Sequence, residues 1–293
     1  MKTFDCFQYF DENMMLDLRL NVLNKYIDHF VIVENLFMHN GKKKKQNFDI
    51  NNFKKFKDKI TYILLDELPD NLSKISGVDT HEENQKILSN AHKIEKKQRN
   101  TIIKGLDIAR DEDIIFFSDV DEIPNLEKFR YKKKITIFKQ KMIYYKFNLI
   151  YPNFAWMGTK ACKMKDLKSA EWLRNIKAKK YPWWRIDTLF SEKKYSSIEF
   201  VEDGGWHFTN IKDARDIDFK MRNFAHHLEY EKSGVDLEKL KNNIKNKTVF
   251  YDHFADKSSL DKHNATIKLD NLDLNQLPSY INKNLNLYKK WID

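Results

Sequence analysis

The stretch Ile114-Ile-Phe-Phe-Ser-Asp-Val-Asp-Glu-Ile-Pro124 constrains this chain more than any other. Ile114 to Phe117 form an apolar run of strand length. Ser118 ends the run, and Asp119, Asp121 and Glu122 follow it closely. Pro124 forbids simple continuation of a strand. Carboxylates packed this tightly repel one another unless a cation sits among them. Oxygen donors suit a hard cation, Mg²⁺ or Mn²⁺, and such ions keep positions open for substrate phosphates. A strand ending in Asp-x-Asp therefore predicts a metal–diphosphate site at the carboxyl edge of a sheet, where open α/β sheets bind ligands. The plainer alternative is an acidic turn that only ends a strand. Two further pairs, Asp111/Asp113 and Asp216/Asp218, follow no apolar strand, so only Asp119/Asp121 sits where a strand would deliver it.

The elements before this stretch alternate. Residues 3–10 read as a strand, with Asp11 as the N-cap of a helix carrying Leu16, Leu20, Leu23 and Ile27 on one face. His29–Glu34 is a second strand and Ile60–Leu65 a third. Between them Lys42–Lys45 read as a solvated loop, with a basic lid over a nucleotide as the functional alternative. Glu83–Leu106 is a long helix leading into the strand at Ile114. This order predicts an α/β fold with a mostly parallel, Rossmann-like sheet and helices on both faces. The first strand–helix turn lacks Gly-x-Gly-x-x-Gly, which argues against a dehydrogenase-type dinucleotide site.

The second half differs. Lys141–Tyr151 reads as one aromatic strand and Ser197–Val201 as another. Helices are predicted over 213–232, with Phe219, Met221 and Phe224 inward, over 236–246, and over Leu277–Trp291. Five of the six tryptophans fall between Trp156 and Trp206. Most such rings belong to a core, and some can serve as platforms for a sugar ring. No linker or repeat separates the halves, so 1–293 reads as one domain, with a nucleotide half to residue 124 and an acceptor half with C-terminal helices from 125.

Composition narrows the partners. A net charge of +10 suits anionic ligands and leaves a peripheral membrane contact through lysines open. The lysines are spread rather than focused and no nucleic-acid motif occurs, so nucleic acid is not expected. Two cysteines, no visible secretory signal and no apolar run near the roughly 18 residues of a membrane span point to a cytoplasmic protein.

Several segments together resemble glycosyltransferase family 17. They are Phe4-Asp-Cys-Phe with Phe10-Asp-Glu12, Leu18-Arg-Leu20, Asp28–Glu34, Gln98-Arg-Asn100, Ser118–Pro124, Gly204-Gly-Trp-His-Phe208, Lys220, Phe224-Ala-His226 and Leu277-Pro-Ser-Tyr-Ile. They cover nearly the whole chain. Lys42–Lys45 departs from a more mixed loop, and Ala225-His-His-Leu-Glu229 is one residue longer than expected, which leaves the matches of His226, His227 and Glu229 open.

The resemblance implies a GT-A fold, a nucleotide-sugar donor (UDP-linked), a glycan acceptor, Mn²⁺ or Mg²⁺, and inversion at the anomeric carbon. N-acetylglucosamine is the sugar it suggests. It also implies metal ligation by Asp119 and Asp121, completed by His207. Glu34, Arg99, Asp119, Lys220 and His226 are the expected donor contacts. The acceptor's proton requires a carboxylate. Glu122, Asp187 and Asp203, with Glu202 beside them, are the candidates. A haloacid-dehalogenase-like phosphatase with Asp119 as nucleophile, and a basic nucleic-acid-binding protein, are the rival functions.

Overall fold

The computed structural model describes residues 1–254 and 266–293. Its first half holds β1 (Thr3–Tyr9), α1 (Asn13–Leu23), β2 (His29–Asn35), β3 (Ile60–Leu65), α2 (His81–Thr101), β4 (Ile114–Asp119) and β5 (Glu122–Pro124). The second half holds β6 (Ile135–Tyr144), β7 (Leu149–Lys163), α3 (Ala170–Asn175), β8 (Ile198–Val201), β9 (Gly205–Thr209), α4 (Ala214–Asn223), α5 (His227–Lys232) and α6 (Leu237–Asn246). Short helices Ser279–Lys283 and Leu285–Tyr288 close the chain.

One sheet runs through both halves in the order β3-β2-β1-β4-β7-β6-β9-β5. The first four strands are parallel. From β4 onward the pairing is mixed: β7 is antiparallel to β4 and β6, β9 is parallel to β6, and β5 is antiparallel to β9. The sheet is thus mostly parallel, as expected, with β8 also parallel to β6 and the antiparallel pairings entering through β7 and β5.

Alternation along the strands builds two cores. Phe7, Phe30, Ile32, Ile114 and Phe116 face α1 on one side, with Leu16, Leu20 and Leu23. Phe4, Cys6, Val31, Val33, Ile115 and Phe117 face the other side, with Ile102, Leu106 and Leu173. Period-two side-chain direction in a sheet covered on both faces produces this split. Cys6 and Cys162 lie free and buried in the second core.

Several boundaries depart from the sequence reading. Lys141–Tyr151 is the end of β6, a turn and the start of β7, because Tyr145 takes φ 61° and reverses the chain. The 213–232 helix breaks at Phe224, whose backbone is extended, into α4 and α5. Ile217 faces inward there, and Phe219 is 49% exposed. The long second helix ends at Thr101, and Ile102–Gly105 is a 3₁₀ turn. Asp11 does not cap α1; its carboxylate meets Lys212. No helix among the described residues is long and apolar enough to cross a membrane.

Candidate active site

β4 ends at Asp119, and the next three residues turn back into β5. Their backbone is held from below by Arg19 of α1, which is fully buried. Its Nη1 donates to the carbonyls of Asp119, Val120 and Glu122 at 3.0, 3.3 and 2.8 Å. Its Nε and Nη2 donate to both oxygens of Asp5 at 2.7 and 2.6 Å. A buried guanidinium requires a carboxylate partner, and Asp5 on β1 supplies it. The acidic turn is therefore anchored to the first strand and the first helix.

The side chains of the turn are held by a second arginine. Arg174 of α3 donates to both oxygens of Glu122 at 2.7 and 2.8 Å and to Asp119 Oδ2 at 2.8 Å. Trp156 Nε1 donates to Glu122 Oε1 at 2.5 Å, and the Asp119 N–H donates to Glu122 Oε2 at 3.0 Å. Burial alone would raise the Glu122 carboxyl, but Arg174 outweighs it and holds the group near about 2. Glu122 is fully buried and both its oxygens are occupied. It was expected as a catalytic carboxylate, but it does not line the cleft and both its oxygens are paired within the protein. Its carboxylate is paired with Arg174 instead. Asp119 is pushed up to about 6 by burial, against the pull of Arg174.

Asp121 is presented differently. His207 Nε2 lies 3.6 Å from its Oδ1, and Lys220 Nζ lies 3.5 Å from its Oδ2. The pairing of β5 with β9 sets Glu122 opposite His207. Phe208 N–H donates to the Asp121 carbonyl at 2.8 Å. Gly205 permits this approach: it has φ +120°, and a Cβ there would collide with the Ile123 carbonyl. The His207 ring stacks on Trp156 at 4.8 Å. Burial holds the imidazole below its ordinary pKa despite Asp121, so it is neutral near pH 7 and fit to donate a lone pair. Burial opposes the charge on Lys220, but Glu12 at 3.1 Å and Asp121 outweigh it and keep the ammonium protonated.

Asp121 and His207 converge closely enough to share one cation, and carboxylate plus imidazole is a donor pair that Mn²⁺ accepts. Among the described residues no three His, Cys, Asp or Glu side chains are grouped to hold an ion by themselves. An ion here would draw its other ligands from substrate oxygens or water. Asp119, an expected ligand, has one oxygen committed to Arg174.

These groups open into a cleft of about 660 Å³. Arg99 lines it near the end of α2, where it pairs with Glu95 and Glu171 at 2.5 and 3.1 Å. His226 and Glu229 line its far side, 3.4 Å apart. Asn35, His39 and Arg99 line the same cleft, and their buried Nδ2, Nδ1 and Nε atoms have no hydrogen-bond partner among the described residues. Three such groups cost free energy unless a polar ligand meets them.

Other expected site residues lie elsewhere. Glu34 is fully buried beneath the 42–48 loop. Its oxygens accept from Lys44, from the N–H groups of Asn47 and Phe48, and from Tyr62. It anchors that loop and does not line the cleft. Lys44 is correspondingly buried rather than solvated, because it answers Glu34. Asp187 is held below its ordinary pKa by Arg185 and Lys194 and does not line the cleft. Asp203 and Glu202 are exposed partners of Lys141 and Lys139. None of these three lines the cleft.

Arg174 and His253 are cleft residues that no sequence signal marked out, whereas Glu12 and Trp156 stood in segments already noted but without a role at the acidic turn. Arg174 sits in a six-residue helix with a partner 52 positions away, and no local pattern marks such a pairing.

A cleft with paired acids and cations and unmatched donors at the carboxyl edge of an α/β sheet belongs to an enzyme, and its class is glycosyltransferase. The chain belongs to glycosyltransferase family 17, whose family model matches residues 1–292. No curated protein matches the chain significantly. Family membership sets aside the phosphatase and nucleic-acid readings.

Proposed function

We propose that this glycosyltransferase is a GT-A-type enzyme that moves a sugar, N-acetylglucosamine in the first instance, from a UDP-linked donor to a glycan hydroxyl with inversion. The convergence of Asp121, His207 and Lys220 at the end of β4 carries the reading. The parallel order β3-β2-β1-β4, continued by antiparallel β7, supports the GT-A assignment. Asp121 and His207 would hold a Mn²⁺ or Mg²⁺ ion, with Asp119 beside them. That ion would neutralise charge on the departing diphosphate.

The chain's own residues do the rest. Lys220 adds a fixed positive charge next to Asp121. Asn35, His39 and Arg99 line the cleft and would border the nucleotide. Arg174 keeps Asp119 oriented. Direct displacement needs a base for the acceptor hydroxyl. Among the described residues from 125 onward, Glu229 is the acid in the cleft lining, and we assign the role to it.

Calorimetry with UDP tests the site. Binding is expected to be at least about tenfold tighter with Mn²⁺ than without, a difference of about 1.4 kcal/mol. Equal affinities would transfer the charge-neutralising role to Lys220, which already sits 3.5 Å from Asp121. His207→Ala is expected to lower activity with Mn²⁺ more than with Mg²⁺, because imidazole suits the softer ion. An unchanged Mn²⁺/Mg²⁺ ratio with a lowered Tm would make His207 a packing residue. Glu229→Gln is expected to lower kcat and leave UDP affinity unchanged.

A further inference from the structure

Residues 177–194 form a loop between α3 and β8 whose composition is unlike the rest of the surface. Its base is tied down. Lys177 N–H donates to the Lys193 carbonyl at 2.8 Å, and Trp172 Nε1 donates to the Glu192 carbonyl at 2.8 Å. Its interior is satisfied as well: Asp187 accepts from Arg185 at 2.7 Å and from Lys194 at 2.9 Å. Yet its crest is apolar and bare. Trp183, Trp184, Ile186, Leu189 and Phe190 are 85, 64, 68, 77 and 85% exposed. Scattered apolar residues on a surface need no explanation, but five within eight positions mark an interaction site.

The charges around the crest identify the occupant. Lys177, Lys179, Lys180, Arg185, Lys193 and Lys194 stand in this segment against two acids, Asp187 and Glu192. Like charge of this density opposes pairing with the same face of a second copy. A glycan would need no aliphatic side chains. Moreover, the two tryptophan rings meet edge-on at 86° rather than forming a flat platform, and neither lines the cleft. Tryptophan with Leu, Ile and Phe, ringed by lysine, matches the headgroup boundary of an anionic bilayer: rings and aliphatic groups enter it and cations meet the phosphates. We propose that the 177–194 loop docks this enzyme on anionic membrane surfaces, with Trp183, Trp184 and Phe190 inserted at the headgroup level.

The test is co-sedimentation of the full chain with vesicles of phosphatidylcholine alone or mixed with phosphatidylglycerol, at low and high salt. The chain is expected to partition onto the mixed vesicles, with a blue shift of tryptophan fluorescence, and to bind the neutral ones at least about tenfold more weakly. The variant W183A/W184A/F190A is expected to lower partition on mixed vesicles by roughly tenfold or more, with Tm unchanged because none of the three side chains is buried. K179E/K180E keeps the crest intact, so its loss of partition carries the test if the triple variant is unstable. Equal partition of wild type and both variants would overturn the proposal. So would a concentration-dependent dimer that the triple variant abolishes without any change in vesicle binding.

Discussion

Arg19 and Arg174 hold the same four-residue turn, one by its backbone carbonyls and the other by its side-chain carboxylates. Arg19 is fully buried and paired with Asp5, and nothing that enters the cleft touches it. Arg174 lines the cleft, and its partners include Asp119, whose side chain is 35% exposed. The first arginine belongs to the fold and the second to the boundary between fold and chemistry. A site can thus be rigid at its backbone while its side chains stay open to a ligand's charge.

Four substitutions can break or sharpen this contrast. Arg19→Leu is expected to cost about 3–5 kcal/mol, because it leaves Asp5 buried without a counter-charge. Urea denaturation measures it, and a stability within 1 kcal/mol of wild type would remove the distinction between the two arginines. Asp121→Ala is expected to lower kcat by at least about a hundredfold with little change in Tm, since its carboxylate faces the cleft and Lys220 keeps Glu12 as a partner. Released nucleotide and Tm measured on one preparation would expose a structural role.

Arg174→Leu is expected to cost about 2–3 kcal/mol, because Glu122 keeps its bonds from Trp156 and from the Asp119 N–H. It should also change the acid limb. In the native protein Glu122 is held near about 2, below the usual carboxylate range. That contribution is complete above the unfolded pKa, about 4.3, and is lost as pH falls from there through 2. Its size is on the order of 3 kcal/mol. Asp119, raised to about 6, has the opposite sign, because its protonation below that pH relieves the folded state. Stability against urea at pH 7, 5 and 3 should therefore fall mainly below pH 4.5 in wild type, and less in Arg174→Leu. Parallel profiles would refute the pairing as the cause. The smallest effect is expected for Glu34→Gln, about 1–2 kcal/mol, because Lys44 loses its buried partner. UDP affinity should not change. A tenfold loss would return Glu34 to the donor site.

Much of the scaffold was legible because its signals are local. The apolar run at Ile114 and the carboxylates after it placed the turn at a sheet edge, and residue periodicity placed β1, β2, β3 and α1. The Gly204-Gly-Trp-His-Phe208 segment drew attention to His207, which lies beside Asp121. Which carboxylates lie in the cleft was not legible, for a reason that is equally physical. A carboxylate's chemistry depends on which cation reaches it. Arg174 reaches Glu122 across 52 positions, Lys44 closes off Glu34, and Lys141 and Lys139 draw Asp203 and Glu202 to the exterior.

By itself the sequence determined how the side chains of each early strand divide between the two faces of the sheet, because they alternate with period two whatever the chain does later. It also determined that two aspartates and a glutamate leave the fourth strand together. Only the tertiary structure decided what each of those carboxylates does. The register of β5 against β9 brings His207 beside Asp121, and the packing of α3 buries Glu122 under Arg174. Burial and the nearest counter-charge set the state of an acid, and both arise from contacts between residues far apart in the chain.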